Sequence, residues 1–221
     1  MADDPRRAAK IRAAEQSLQH VGAGMVVGLG SGSTAAEFVR LLGARVRGGL
    51  QLRGVPSSEV TAALAREVGV PLVGLGDVEA IDVTIDGADE VDPRGELIKG
   101  RGGALLREKV IASASRKLVI IVDDTKQVPV LGARMPVPVE VTPFAVPVVQ
   151  RALAALGATV ARRAGDGGAP YLTDGGNQIL DCQFGPIADP AGLAARLDGI
   201  VGVVEHGLFV GFAPTVIVAA T

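Results

Sequence analysis

The sequence predicts an α/β fold: a mostly parallel, Rossmann-like sheet flanked by helices, with a small ferredoxin-like α+β lid domain inserted. Short apolar strands alternate with helical segments through residues 1–131, which is typical of βαβ units and a parallel sheet. Polar, glycine-rich segments follow several of these strands, at the edge where parallel sheets bind ligands. After residue 131 the predicted order becomes β-α-β-β-α-β, which is typical of a ferredoxin-like domain.

The elements of the large domain follow in chain order from apolar runs and helical spacing. Apolar residues at helical spacing between Ile11 and Val21 predict a first helix of about 15 residues, with Asp4 as its cap and Pro5 at its first position. Strands are expected at 25–29, 52–55, 71–75, 81–85 and 117–122. Helices are expected at 35–42, at 103–114, and from a cap at Ser57 or Ser58 to Val68.

The remaining elements divide between the inserted domain and a return to the large one. Strands are expected at 137–142, 158–163, 171–173, 178–183 and 201–205, and helices at 144–156 and 190–198. A final pair of strands between Leu208 and Ala219 is expected to rejoin the large sheet. We therefore predict a catalytic α/β domain of residues 1–131 and 204–221, and a ferredoxin-like domain of residues 132–203.

The composition argues against several classes of function. Lys and Arg number 22 against 24 Asp and Glu, the net charge is −2 and no Trp is present, so a nucleic-acid binder is not expected. The polar first ten residues and the lack of a long apolar run predict neither a secretory signal nor a membrane span. The single cysteine, Cys182, permits no internal disulfide, so a cytoplasmic protein is expected. His20 and His206 lie outside every glycine-rich or acidic cluster and are interpreted as structural.

The segment 28–34, Gly-Leu-Gly-Ser-Gly-Ser-Thr, follows a predicted strand and opens a helix. Glycines let the backbone approach an anion, a helix N-terminus offers unpaired N–H groups, and Ser31, Ser33 and Thr34 add hydroxyl donors. The dinucleotide pattern fails because Ser33 stands where its third glycine belongs, and the P-loop pattern fails because no lysine is present. The segment predicts a site for a small anion such as phosphate; the alternative is a tight turn with hydroxyl caps.

The segment 86–92 is the densest acidic cluster in the sequence. Asp86 ends a predicted strand, and Asp89 lies three residues on, across a Gly-Ala turn. Carboxylates at this place can transfer protons, bind a sugar hydroxyl or hold a metal. The spacing of a calcium-binding loop is absent, and no histidine is near, so a metal is disfavoured. A solvated acidic loop is the alternative.

Two further segments carry charges beside turns. Lys99 precedes a glycine-rich turn, and Glu108 would lie in the second turn of a helix that starts near Gly103, leaning back toward that turn. Lys126 follows the strand at 117–122, where it can meet an anion at the carboxyl edge of the sheet. The alternatives are ordinary surface charges on the helix and a solvated turn around Lys126.

These and other segments match one family in order and at family-like spacing: Gly30–Ala36, Asp86–Glu90, Lys99–Gly102, Arg107–Lys109, Thr125–Gln127, Gly176–Asp181 and Gly207–Phe209. The sequence resembles type A ribose-5-phosphate isomerase over nearly its whole length. The family turn is commonly Lys-Gly-Gly-Gly, whereas Arg101 occupies the third position here. The Arg101 side chain either points to solvent or adds a charge beside the sugar.

The resemblance implies interconversion of ribose 5-phosphate and ribulose 5-phosphate without a metal or organic cofactor. It implies that Glu108 is the general base between C2 and C1, and that Lys99 stabilises the enediolate. Asp86 and Asp89 would handle hydroxyl protons, including those of ring opening. The implied substrate contacts, with phosphate held mainly by 31–34 and Lys126, are Ser31, Gly32, Ser33, Thr34, Asp86, Gly87, Ala88, Asp89, Lys99, Gly100, Arg101, Gly102 and Lys126.

Two other classes of function remain as alternatives. A non-catalytic sugar-phosphate sensor would usually carry a DNA-binding helix-turn-helix, for which no segment of the sequence is left. A coenzyme A transferase or an amino-sugar phosphate deaminase on a related fold is the other alternative. The expected partners are a sugar-phosphate substrate and further copies of the chain, as a dimer or tetramer, but no nucleic acid and no membrane.

Overall fold

The computed structural model describes residues 5–221, which form two compact units. The first unit contains residues 5–88, 107–127 and 212–221, and the second contains residues 89–106 and 128–211. The predicted domains differ from these units in placing 89–106, 128–131 and 204–211 with the large sheet. Asp4, the predicted helix cap, lies outside the described residues, and the catalytic and lid roles of the two domains stay predictions.

The strands are β1 (Val26–Leu29), β2 (Arg53–Pro56), β3 (Val83–Asp86), β4 (Glu90–Val91), β5 (Leu97–Ile98), β6 (Leu118–Asp123), β7 (Val137–Val141), β8 (Thr159–Arg162), β9 (Gln178–Gln183), β10 (Val203–His206), β11 (Leu208–Phe209) and β12 (Thr215–Ala219). The α-helices are α1 (Pro5–Ser17), α2 (Ser33–Arg47), α3 (Glu59–Glu67), α4 (Leu105–Ser113), α5 (Val146–Ala155) and α6 (Pro190–Asp198). Short 3-10 helices cover Leu18–His20, Leu75–Asp77, Asp124–Lys126, Pro143–Ala145 and Asp166–Gly168. Among residues 5–221, no helix is long and apolar enough to cross a membrane.

The first unit is built on a five-stranded sheet in the order β12-β6-β3-β1-β2, and every neighbouring pair is parallel. Alternate residues point to opposite faces, so Val27 and Leu29 pack with the apolar sides of α1 and α2, whereas Val26 packs with Ile111 of α4. All six residues of β6 are buried, as expected for a strand covered on both faces. The prediction of a mostly parallel sheet flanked by helices is confirmed.

The second unit contains a four-stranded antiparallel sheet in the order β10-β7-β9-β8, with α5 and α6 joined to its strands in the order β-α-β-β-α-β. The prediction of a ferredoxin-like element order is confirmed with four strands, since the fifth expected strand, at 171–173, is not part of this sheet. Val139 of β7 and Leu180 of β9 face one another across the ladder and pack with Val149 of α5 and Leu193 of α6. The apolar face of this sheet is thus covered by the two helices, which leaves its more polar face for other contacts.

The predicted strands at 71–75 and 171–173 are wrong. Each segment forms only an isolated bridge, at Leu72 and at Leu172. A proline begins the first segment and directly precedes the second, and proline has no N–H to donate to a ladder. Neither segment therefore extends into a regular strand.

The final pair of strands separates. β12 pairs with β6 in the five-stranded sheet, but β11 pairs antiparallel with β5 in a three-stranded sheet completed by β4. The expectation that both strands rejoin the large sheet is therefore wrong for β11. The partners β4 and β5 are absent from the predictions because each is two residues long, too short to show a periodic pattern.

Candidate active site

The turn after β1 presents backbone N–H groups at the start of α2. Gly32 precedes the helix with φ 93° and ψ 176°, a conformation that glycine adopts without strain. The helix begins at Ser33, so the N–H groups of its first turn have no partner within the helix, and no acidic side chain lies there. Ser33 is exposed and Thr34 is half-buried. This is a geometry suited to a small anion, as the sequence predicts.

Asp86, at the end of β3, holds this turn in place through its carboxylate. Its Oδ1 accepts the N–H groups of Ser31 at 3.1 Å and of Gly87 at 2.7 Å, and the residue is 1% exposed. A Cβ at Gly30 would lie 2.1 Å from that oxygen, so only glycine fits beside it. Gly87 and Ala88 follow and are half-buried. Asp86 therefore has a structural role in addition to the proton chemistry that the resemblance implies.

The Ser31 hydroxyl belongs to a cluster of hydroxyl groups. Its Oγ lies 2.8 Å from the Oγ atoms of Ser57 and Ser58 and 3.1 Å from Oγ1 of Thr61. Thr61 Oγ1 donates to the carbonyl of Gly30 at 3.0 Å. The sequence indicates the two serines only as candidate helix caps and gives no indication of a role for Thr61. The position of these serines directly after β2, at the carboxyl edge of the sheet, was the signal that could have identified them.

Lys126 lies at the same edge of the five-stranded sheet. The Asp123 carboxylate, at the end of β6, accepts the N–H of Thr125 at 3.1 Å and also its hydroxyl, which fixes the 3-10 helix that carries Lys126. β6 and β1 both flank β3, so the carboxyl ends of these three strands bring Lys126, Asp86 and the turn 30–34 to one edge of the first unit.

Glu108 lies in the first turn of α4, because the helix begins at Leu105. The expectation that it lies in the second turn of a helix from Gly103 is therefore wrong. Glu108 is only 4% exposed, which excludes the alternative of an ordinary surface charge. A carboxylate in the first turn interacts favourably with the helix dipole. The neighbouring Arg107 pairs with Glu59 at 2.9 Å, and this guanidinium lowers the pKa of the exposed Glu59 carboxyl.

Lys99 is a buried cation in the second unit, with 3% exposure. Its Nζ lies 5.3 Å from the ring centre of Phe209, within the range of a cation–π interaction. The backbone N–H of Lys99 donates to the carbonyl of Gly207 at 2.9 Å. A Cβ at Gly207 would lie 2.2 Å from the Lys99 carbonyl oxygen. Because Gly207 has no Cβ, the chain that leads into β11 can approach Lys99 closely. The hydrogen bond made there fixes the backbone of Lys99.

Asp89 and the turn after Lys99 are joined by a hydrogen bond. Asp89 is half-buried, and its Oδ2 accepts the N–H of Arg101 at 2.9 Å. Gly103 closes the turn by donating its N–H to the carbonyl of Gly100 at 2.9 Å. Arg101 and Gly102 are exposed, and Arg101 lines a cavity of about 390 Å³ together with Asp89. The second unit therefore brings Asp89, Lys99 and the turn 100–102 together.

The rest of the acidic segment supports the backbone. Glu90 is 1% exposed, and its carboxylate accepts three backbone N–H groups, those of Gly132, Arg134 and Met135, at 2.6, 2.7 and 2.8 Å. Asp92 accepts the N–H groups of Arg94 and Glu96, each at 2.9 Å. A solvated acidic loop is therefore excluded for these two residues.

Three side chains of the second unit, Asp198, Glu205 and His206, lie close enough to suggest a metal site. His206 Nδ1 accepts the N–H of Leu208 at 3.2 Å, so the ring proton lies on Nε2, which is 3.1 Å from Asp198 Oδ1. Both ring nitrogens are thereby engaged, and neither offers a lone pair to a metal. This arrangement favours the structural interpretation of the buried His206.

Comparison with known proteins extends the match from motifs to nearly the whole chain. Residues 53–221 match the family Ribose 5-phosphate isomerase A (phosphoriboisomerase A). The chain belongs to this family. The protein named Ribose-5-phosphate isomerase A from Sinorhizobium medicae (strain WSM419) is 52% identical over 220 residues, which cover 96% of this chain and 94% of the relative. The same-named protein of Roseiflexus sp. (strain RS-1) is 52% identical over 210 residues, covering 94% and 90%.

Solved structures of the family have the same fold. A D-ribose-5-phosphate isomerase in complex with phospho-erythronic acid aligns with a TM-score of 0.94 at 42% identity, covering 96% of this chain and 94% of that one. The ribose 5-phosphate isomerase A of Methanocaldococcus jannaschii aligns with a TM-score of 0.92 at 40% identity, covering 97% and 95%. The family resemblance that the motifs indicated is confirmed.

The contact between Gly30 and Asp86 leads to a prediction about stability. We expect Gly30→Ala to lower the free energy of unfolding by about 3 kcal/mol, because the methyl group displaces a buried carboxylate from two N–H groups. Gly76→Ala is the control, since a Cβ there meets nothing within 4 Å. Urea unfolding of both variants measures the difference. Equal stability of the two variants would contradict the structural role of Asp86.

Proposed function

We propose that the chain interconverts ribose 5-phosphate and ribulose 5-phosphate by proton transfer through an enediolate, in the non-oxidative branch of the pentose phosphate pathway. The observation that carries this proposal is the family match over nearly the full length of the chain. Aldose–ketose isomerisation needs a base beside a carbon acid, a positive charge near the carbonyl oxygen and an anchor for the phosphate. The chain supplies side chains of each kind.

Glu108 is proposed as the general base. It removes the proton from C2 of the open-chain aldose, and the C–H electron pair forms the C1–C2 double bond of the enediolate while negative charge develops on O1. Return of the proton to C1 then gives the ketose. Burial of the carboxylate in the first turn of α4 supports this role, because it holds the group in one orientation away from water.

Lys99 is proposed to stabilise the enediolate oxygen, and Asp89 and Asp86 to move the hydroxyl protons. The buried ammonium of Lys99 is a fixed positive charge held beside the Phe209 ring, and preorganised charge of this kind lowers the barrier to forming an oxyanion. Conversion of the enediolate to the ketose requires a proton to leave O2 and a proton to reach O1. Ring opening requires a proton shift from the anomeric hydroxyl to the ring oxygen. Carboxylates can perform both steps.

The phosphate is proposed to bind at the start of α2, with Lys126 supplying charge. Ser31 donates its N–H to Asp86, and its hydroxyl lies in the cluster with Ser57 and Ser58. Gly32, Ser33 and Thr34 are therefore the better candidates for direct contact. Gly87, Ala88 and the turn 100–102 complete the proposed substrate contacts.

The presence of all four proposed catalytic residues, Glu108, Asp86, Asp89 and Lys99, favours catalysis over a sugar-phosphate sensor.

We further propose a closed homo-oligomer, a dimer or tetramer, which light scattering would distinguish from the 22.4 kDa monomer. A cytoplasmic location is supported by the single cysteine, Cys182, which permits no internal disulfide. Burial raises the pKa of its thiol to about 12, so the thiol is protonated and poorly reactive.

The proposed reaction is tested directly with ribose 5-phosphate. We expect the purified protein to form ketose. We expect the rate to be unchanged after dialysis against EDTA, because the protein's own side chains perform every proposed step and no step uses a metal. Colorimetric detection of ketose in both samples is the measurement. No ketose formation would contradict the reaction, and loss in EDTA restored by Mg²⁺ or Mn²⁺ would contradict the metal-free mechanism.

Glu108→Gln tests the general base. The change keeps the shape of the side chain and removes its basicity, so we expect kcat to fall by about 10²–10⁴-fold with little change in KM. Glu67→Gln, on the exposed end of α3, is the control and is expected to leave kcat unchanged. Steady-state kinetics with ribose 5-phosphate measure both. A near-normal kcat for Glu108→Gln would remove this residue from the mechanism.

Lys126→Ala and Thr34→Val test the phosphate site. Each removes a donor to a charged group, so we expect KM to rise roughly 10- to 100-fold with a smaller change in kcat. Lys117→Ala is a matched control, because Lys117 lies directly before β6, at the other end of the strand from Lys126, and contacts His20. Free ribose should be a very poor substrate, because phosphate binding orients the reacting end. Comparable kcat/KM values for ribose and ribose 5-phosphate would contradict this site.

A further inference from the structure

An arginine outside the proposed catalytic set binds the turn that follows Lys99. Arg163 Nη1 donates to the carbonyl oxygens of Gly100 and Arg101, at 3.0 Å each. Gly100 has a φ of 104°, a conformation that residues with a side chain rarely adopt. Glycine is flexible in this region, so contacts from elsewhere in the chain are needed to hold the turn in one conformation.

Asp181 fixes the guanidinium that makes these contacts. Arg163 Nε donates to Asp181 Oδ2 at 3.0 Å and Nη2 donates to Oδ1 at 2.5 Å, a bidentate pair. The two side chains are only 14% and 24% exposed. Asp181 belongs to β9, and its neighbours in that strand, Leu180 and Cys182, face the helices, so the pair lies on the opposite, polar face of the four-stranded sheet.

The same peptide group is held from both sides. The carbonyl of the Gly100–Arg101 peptide accepts from Arg163, and the N–H of that peptide donates to Asp89 Oδ2 at 2.9 Å. The hydrogen bonds thus form a chain from Asp181 through Arg163 and the peptide to the Asp89 carboxylate. Rotation of this peptide would break both of its bonds at once, so Arg163 limits the positions available to Asp89.

We propose that Arg163, oriented by Asp181, is a positioning residue for the isomerisation: it fixes the Gly100–Arg101 peptide group and, through that group, the Asp89 carboxylate. This inference rests on the proposed function of Asp89 in moving hydroxyl protons. It also gives a role to the segment Gly176–Asp181, which resembles the family but takes no part in the proposed chemistry. Asp181 is the last residue of that segment.

Steady-state kinetics of Arg163→Ala test the catalytic part of the proposal. We expect kcat to fall about 10- to 100-fold, because displacement of a catalytic group by about 1 Å has effects of this size. We expect KM to stay within about threefold, because Arg163 contacts the turn 100–102 but none of the residues assigned to phosphate, which is proposed to hold most of the substrate. Arg162→Ala, the adjacent exposed arginine at the end of β8, is the matched control and should leave both constants unchanged.

A double-mutant cycle separates positioning of Asp89 from general destabilisation. In the Asp89→Ala background, Arg163→Ala should lower kcat by less than about twofold, because its effect passes through a group already removed. Asp181→Asn keeps the size of the side chain and should show the same pattern at smaller amplitude, and it serves in place of Arg163→Ala if that variant does not fold. Multiplicative effects in the cycle, or a change in KM alone, would overturn the proposal.

Hydrogen exchange provides a measurement that is independent of activity. We expect the amides of residues 99–103 to exchange faster in Arg163→Ala than in the wild type or in Arg162→Ala, because the turn loses its two carbonyl contacts. If the wild type shows no isomerase activity, the proposed function fails while this exchange result still reports on the contacts of the turn. Unchanged exchange in both Arg163→Ala and Asp181→Asn would overturn the positioning role.

Discussion

The Asp86 carboxylate links the carboxyl end of β3, the middle strand of the five-stranded sheet, to the turn that opens α2. One buried oxygen accepts the N–H groups of Ser31 and Gly87 and excludes any side chain at Gly30. The start of α2 is thereby held at the sheet edge with its first N–H groups available to an anion. The geometry of the proposed anion site in the first unit depends on this interaction, because the glycines of the turn have little conformational preference of their own.

Buried carboxylates perform the same task elsewhere in the chain. Glu90 binds three backbone N–H groups of the segment 132–135, and Asp123 binds the turn before Lys126. At the turn after Lys99 the roles are reversed, because Arg163, which is held by Asp181, donates to two backbone carbonyl groups. Each of these charged groups is satisfied by hydrogen bonds, as burial requires. The turns that carry Lys126 and residues 100–102 are therefore held by charged side chains, and not by strand or α-helix hydrogen bonds alone.

The regular elements follow closely from the sequence, and the irregular ones do not. Alternation of apolar strands and helices predicts the parallel sheet, and the later β-α-β-β-α-β order predicts the ferredoxin-like unit. β4 and β5 lack a recognisable pattern because each has only two residues and is defined by its pairing, β4 with β5 and β5 with β11. The sequence places Glu108 in the wrong turn of α4, because the glycines before Leu105 mark no distinct helix start.

The sequence alone determined the fold class, the family and the candidate residues, because strand and helix periodicity, turn glycines and motif spacing depend on neighbours along the chain. The tertiary structure decided which of those residues meet. Ser31 and Asp86 are 55 positions apart, and Arg163 and Gly100 are 63 apart. Contacts over such separations depend on strand order and on packing between sheets and turns, which local patterns do not specify. Arg163 and Thr61 therefore could be recognised only once the chain was folded.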